Sequence, residues 1–263
     1  MTERVQIDIN AHVAEVVLNR PGKMNAVDLK MFTALGEAAD QIANEKSVRA
    51  VVLRGAGENF CAGIDLSVLS DSSLDFRAAL ATPVEPSPAN LFQRAAYAWR
   101  ELSMPVVCAI NGIAFGAGLQ IALGADLRYA SPSASFSIME AKWGIIPDMG
   151  ITATLRHLMP PDRVKELAWS ARVFDSAEAL DLGLVTAIAD DPVQSSREFA
   201  AEIAARSPDA MRGIKSLINK AWQVSEADAL AMEARLQSVI IGGENQREAA
   251  MANLEKRAPD FKD

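Results

Sequence analysis

Cysteine and histidine are both scarce in this chain. Cys61 and Cys108 are too few for a disulfide framework or a four-thiolate zinc site, and a reducing, cytoplasmic setting is the expectation that follows. His12 and His157 lie far apart and without clustered acids near them in sequence, which argues against a His-centred triad or a metal centre. No uncharged apolar run approaches the ~18 residues that suggest a membrane span. The opening MTERVQIDIN carries charge where a signal peptide would be apolar, so secretion is not expected. Positive charge is in deficit, with 26 Lys and Arg against 34 Asp and Glu and a formal net charge of -8. That balance excludes a general nucleic-acid surface and leaves room only for a local basic patch facing one small anionic ligand. Walker phosphate loops, Gly-x-Ser-x-Gly elbows and His-Glu-x-x-His pairs are all missing.

What is present suits a folded α/β protein, since 50% of the residues are apolar and 23% charged. Over the first two thirds, β-like runs alternate with amphipathic helices. Val13 to Asn19 reads as a strand closed by Arg20-Pro21-Gly22. Leu29, Phe32, Leu35, Ala39 and Ile42 then recur at helical spacing, so Asp28 should cap a helix ending near Asn44. Val48 to Arg54 is β-rich and enters the turn Gly55-Ala56-Gly57. The order recurs as a strand from Val106 to Ile110, a Gly-rich turn and a helix from Leu119 to Ala125, which suggests repeated strand-strand-helix units. Ala81 to Asn90 carries three prolines and reads as a loop, of the kind that often forms a lid or pocket wall. Beyond Pro192 the chain turns helical, over Ser195 to Ala205 and Asp209 to Ala250, with a break near Gly242-Gly243. We therefore expect a core over 1–192 and a helical region over 193–263, whose apolar faces must be covered by the core or by another subunit.

Two glycine-bearing turns follow strands: Phe60 to Leu66 (FCAGIDL), and Gly112 to Gln120 (GIAFGAGLQ). A turn into a helix leaves main-chain N–H groups unpaired, and two such donors aimed at one oxygen make an oxyanion hole. Taken alone, such turns commonly serve packing. Two acids, Glu140 and Asp148, stand within or beside mostly apolar sequence, where a carboxyl can exchange protons near neutral pH. By themselves they fit equally a helix cap and a solvated loop residue.

Those segments, in this order, resemble the crotonase (enoyl-CoA hydratase/isomerase) superfamily. The match rests on Asn19-Arg20-Pro21 with Asn25-Ala26, on FCAGIDL at 60–66, on the run from Pro105 to Ala130, on Ser176 to Val185, and on the ending from Leu254 to Phe261. The resemblance implies a spiral of ββα units followed by a helical region that builds homotrimers or hexamers. It also implies an acyl-CoA thioester as substrate, with no separate cofactor and no metal. The thioester oxygen would sit between the N–H groups of Ile64 and Ala117, each donor being worth about 3 kcal/mol in a transition state that places charge there. By the same resemblance, substrate and CoA contacts fall on Lys23, Asn25, Ala26, Ala62, Gly63, Asp65 and Gly116. Lys256 and Phe261 would reach the nucleotide of a neighbouring subunit.

The hydratases of that family use two glutamates, whose positions here are 120 and 140. Gln120 departs from the pattern, because an amide orients a polar group but cannot take up its proton. Asp148 follows Ile-Pro, eight residues after Glu140, as in the dienoyl-CoA isomerases, although those carry an aspartate where this chain has Gln120. The expectation is a double-bond shift in which Asp148 and Glu140 transfer protons, in either assignment of base and acid, with Gln120 beside them. The rivals are a hydratase or a 3-enoyl to 2-enoyl isomerase relying on Glu140 alone, and a non-catalytic acyl-CoA-binding module. The acyl pocket should draw on Ser67 to Asn90, while Trp143 reads first as packing.

Overall fold

Alternation along the strands sets the layers. In Ala50-Val51-Val52-Leu53 every residue is fully buried, which requires cover on both faces of the sheet. Val51 and Leu53 join the main core, whereas Ala50 and Val52 pack with Ala200 and Ala204 on the opposite side. The computed structural model describes residues 3–71 and 74–263.

The main sheet has the order β1-β2-β3-β4-β6-β9. Its strands are β1 (Val5–Asn10), β2 (Val13–Leu18), β3 (Ala50–Gly55), β4 (Val106–Ile110), β6 (Leu127–Ala130) and β9 (Ala187–Ile188). Within this sheet β1 and β2 pair antiparallel, and β2, β3, β4, β6 and β9 run parallel, in registers such as Val51 opposite Val106 and Val107 opposite Leu127. A second sheet, in the order β5-β7-β8, is built from β5 (Ile113–Phe115), β7 (Ser135–Ser137) and β8 (Phe174–Asp175). The sequence pattern did not reveal it, since strands of two or three residues carry too little alternation to register.

Helices α1 (Leu29–Asn44), α2 (Leu66–Leu69), α3 (Phe76–Ala81), α4 (Leu91–Glu101), α5 (Ala117–Leu123), α6 (Ile151–Thr154), α7 (Pro161–Ser170) and α8 (Ser176–Asp181) surround these sheets. As expected, Asp28 caps α1, its carboxylate accepting from Met31 N at 2.9 Å. The α1 and α4 faces meet through Phe32 and Phe92, edge to face at 5.1 Å, and Trp99 of α4 is fully buried. Helix α5 begins at Ala117, two residues before the expected start, because Gly116 (φ +50°) turns the chain sharply into it.

Residues 82–90 form the expected loop, with Pro86 and Ser87 lining a cleft beside α1 and α4. Asn90 donates to Leu80 O and caps α4 in a capping box, while Ser87 bonds Glu101, so the segment is fastened along the flank of α4. Ser72 and Ser73, part of the segment expected to shape the acyl pocket, lie outside the described residues.

Helix α9 (Pro192–Ala204) covers the second face of the sheet, followed by α10 (Pro208–Ala221), α11 (Glu226–Ile240) and α12 (Glu244–Glu255). The break at Gly242-Gly243 is present. A second one at residues 222–225 was not foreseen, although Ser225 caps α11 by accepting from Asp228 N. Lys215 anchors α10: its buried ammonium meets Asp126 at 2.8 Å and donates to Trp99 O and Met104 O. Among the described residues no helix is long and apolar enough to cross a membrane.

Candidate active site

The two glycine turns are sewn together by the main chain. Cys61 N donates to Ile113 O, Phe115 N to Cys61 O, and Gly116 N to Ser137 O. On the other side Ala62 N donates to Met24 O, while Val27 N donates to Gly63 O and Asp65 N to Val27 O. This last ladder brackets Ile64 and leaves its own N–H facing the opposite way. Ala117 is the first residue of α5, so its N–H has no intrahelical partner. Among the described residues neither N–H meets an acceptor. The two turns are in contact, since a Cβ added to Gly63 would stand 3.8 Å from Ala117 N and 2.9 Å from Phe115 O. Gly63, at φ +100°, is the residue that both this backbone and this approach require.

These donors open onto a cavity of about 510 Å³ that also receives Gln120, Glu140 and Asp148. Glu140 begins a short 3-10 turn (Glu140–Trp143) after β7 and is 7% exposed. Its Oε1 accepts from Gln120 Nε2 at 2.6 Å, whereas Oε2 is buried without a partner. Gln120 in turn accepts from Met149 N at 2.8 Å, next to Asp148. Burial pushes the Glu140 carboxyl above the ordinary carboxylate range; the Gln120 bond opposes that shift and the nearby Asp148 charge adds to it. Burial raises Asp148 likewise. Thus Glu140 is buried and does not act as a helix cap, while Asp148 lies in an irregular segment as a half-buried rather than a fully solvated residue. Among the described residues no group of three His, Cys, Asp or Glu side chains is placed to hold a metal ion.

Of the residues singled out from sequence, Lys23, Ala26, Ala62, Gly63, Ile64, Asp65, Gly116, Ala117, Gln120, Glu140 and Asp148 all line this one cavity. Asp65 is tied to Arg20 at 2.7 Å and caps α2; the Ser67 N–H and then the guanidinium hold its carboxyl down to about 2. Asn25 is corrected. Its side chain is fully buried, accepting from Arg20 N and donating to Ala56 O, Asn59 O and Phe60 O, so it braces the site and is closed to ligand. Lys256 and Phe261 do not reach the cavity of their own chain. Phe261 is buried, its carbonyl accepting from Arg49, and Lys256 ends α12 exposed to solvent.

Sequence reasoning missed the apolar wall. Met24, Leu66, Met139, Ile145 and Met149 line the cavity, and Trp143 joins them at 45% exposure rather than packing in the core. Among the described residues of 67–90 none lines this cavity. Each missed residue flanks a motif position, a signal too general to single it out beforehand.

Unpaired main-chain donors beside two desolvated acids, in a largely apolar hollow, define the class: a pocket whose groups can polarise a carbonyl oxygen and move protons on the carbons beside it. Residues 8–263 match the family model described as enoyl-CoA hydratase/isomerase, and the chain belongs to that family as an acyl-CoA-processing enzyme of the crotonase superfamily. It is 32% identical over 276 residues to a carnitinyl-CoA dehydratase of Proteus mirabilis, covering 100% of this chain and 99% of that one. It is 30% identical over 267 residues to a peroxisomal Δ3,5-Δ2,4-dienoyl-CoA isomerase of Arabidopsis thaliana, covering 98% and 96%. Among solved structures, an enoyl-CoA hydratase from Bacillus anthracis superposes with a TM-score of 0.89 at 32% identity, covering 98% of this chain and 99% of that chain.

Proposed function

We propose that this enzyme shifts a carbon–carbon double bond along an enoyl- or dienoyl-CoA. The thioester oxygen accepts from Ile64 N–H and Ala117 N–H. The Asp148 carboxylate removes a proton from the acyl chain, and the electrons of that C–H bond pass into a dienolate whose charge rests on the oxygen. Glu140, entering protonated, returns a proton to another carbon of the conjugated system, so the double bonds move and the atoms of the substrate are conserved. Asp148 then holds a proton and Glu140 a charge, and solvent resets both.

The observation that carries this reading is that burial raises the carboxyls of Glu140 and Asp148, while Asp65, the other acid on the lining, is held low by Ser67 and Arg20, and the group bonded to Glu140 is the amide of Gln120. An amide neither accepts nor supplies a proton at neutral pH, which leaves two proton-transfer groups for two carbon positions. Lys23, at the cavity lining, suits a phosphate of the CoA moiety. A trimer or hexamer of this chain is part of the proposal, supported by the exposed Ile214 and Ile218 on α10 with Trp222 just past its end.

Purified enzyme offered a 3,5-dienoyl-CoA should generate the absorbance of the conjugated 2,4-dienoyl product. Asp148→Asn and Glu140→Gln should each lower the rate at least about 100-fold. The second reading, water addition to a 2-enoyl-CoA, is favoured by the hydratase name of the superposing structure. Rapid hydration of crotonyl-CoA with no dienoyl turnover would establish it and overturn the isomerase.

A further inference from the structure

Gln120 is nearly inaccessible, at 2% exposure, yet it lines the cavity, and both ends of its amide are spent. The orientation of that amide is forced. Met149 contributes a main-chain N–H, which can only donate, so the carbonyl oxygen of Gln120 must face it, and the NH₂ group must face Glu140. The side chain springs from the first turn of α5, the helix that begins at Ala117, with its own N–H donating to Gly116 O. One residue thus ties the start of α5 to the Glu140 turn and to the backbone one step from Asp148.

We infer that Gln120 is a positioning residue that reserves Oε1 of Glu140 as a hydrogen-bond acceptor and leaves Oε2 as the atom through which that acid exchanges its proton. The inference rests on the proton-transfer reading of Glu140 given above and adds which oxygen acts and what selects it. A carboxyl has two chemically equal oxygens and can carry its proton on either. Here Oε1 receives an N–H at 2.6 Å, and a proton placed on it would point at another donor; Oε2 has no partner and is free to bear it. Gly116 keeps this arrangement from the other side, since a Cβ there would press on Oε1 at 3.3 Å. The clamp also fixes the distance between the two acids, because the same amide holds Met149, and with it the end of the 145–148 segment that carries Asp148. A glutamate at position 120 would keep the Met149 bond but set a second carboxyl oxygen against Oε1. The two acids would then have to share one proton.

The test follows the Glu140 carboxyl directly, by ¹³C NMR of protein carrying labelled glutamate, with the resonance assigned through Glu140→Gln. The other titratable groups lining the cavity are Lys23, Asp65 and Asp148, and all are retained. In Gln120→Met, which keeps length but loses the donor, the Glu140 midpoint should move upward. Its kcat should fall about 10- to 100-fold while KM for the acyl-CoA stays within about twofold. In Gln120→Glu, close in volume to the native side chain, the midpoint should rise further and the alkaline limb of kcat should move with it. A Glu140 titration and pH–rate profile unchanged in both variants would overturn the inference, and an unchanged Gln120→Glu is enough to overturn it should Gln120→Met fail to fold. Midpoints that move as expected in a protein inactive toward every dienoyl- and enoyl-CoA would uphold the clamp and refute the reaction assigned above.

Discussion

Gly118 packs so closely on Cys61 that a Cβ placed on it would stand 2.4 Å from the Cys61 carbonyl oxygen and 2.8 Å from the Cys61 Cβ. That contact sets the distance between the turn carrying Ile64 and the helix carrying Ala117, so the spacing of the two donors is a packing consequence of one missing methyl. Gly118→Ala should cost about 1–3 kcal/mol of stability and displace α5. Because misplacing reacting groups by about 1 Å can cost 100-fold, kcat should fall on that order. Paired denaturant melts and steady-state kinetics check it.

Asn25 has a comparable bracing role from behind. It satisfies Arg20 N and three carbonyls, and it holds φ +55°, a conformation that asparagine tolerates better than most residues. Asn25→Ala leaves those buried groups unpaired and should lower stability by about 3 kcal/mol. For a domain of this size that is a Tm drop of roughly 8 °C in a thermal melt. KM for CoA esters should rise only as far as the Lys23–Ala26 turn is disturbed.

Glu140 and Asp148 have raised carboxyl pKa values in the fold because both are desolvated. The native state therefore keeps protons at pH values where the unfolded chain has released them. Stability contributed by these groups is full below the ordinary carboxylate range and falls as pH rises through the raised values. Glu140→Gln removes that penalty and the charge on an unpartnered oxygen. The variant should melt higher than wild type at pH 8, by about 2 °C or more, and show little difference at pH 4. Scanning calorimetry at the two pH values reads the sign.

Much of this site is legible in the amino-acid sequence. The turns at 60–66 and 112–120 carry glycines whose φ values of +100° at Gly63 and +57° at Gly112 other residues rarely adopt, so the backbone left its mark in residue type. Asp28 and the α1 periodicity are equally plain, because cap and stripe are local. What stays hidden depends on contacts between distant segments. The Met-rich wall is assembled from residues 24, 139 and 149, and no spacing rule joins them. Asn25 is legible as important but not as buried, since its partners at 56, 59 and 60 are supplied by the segment that follows β3. Residues 81–90 are read as a loop from their prolines, but proline content does not say which side of the molecule a loop lies on.

Lys23 is the exposed cation on the cavity lining, and the proposal places a CoA phosphate near it. Lys23→Glu should raise KM for acyl-CoA about tenfold, with kcat at saturation little changed, and the difference should shrink as salt is added. Equal KM values at low ionic strength would remove Lys23 from the binding site.

The most direct measurement is a crystal structure of the Glu140→Gln enzyme with an unsaturated acyl-CoA bound. The thioester oxygen should lie about 3 Å from both Ile64 N and Ala117 N, with the carbons of the double-bond system within reach of position 140 and Asp148. A carbonyl lying outside hydrogen-bond distance of those two amides, or an acyl chain directed away from both acids, would contradict the proposed chemistry.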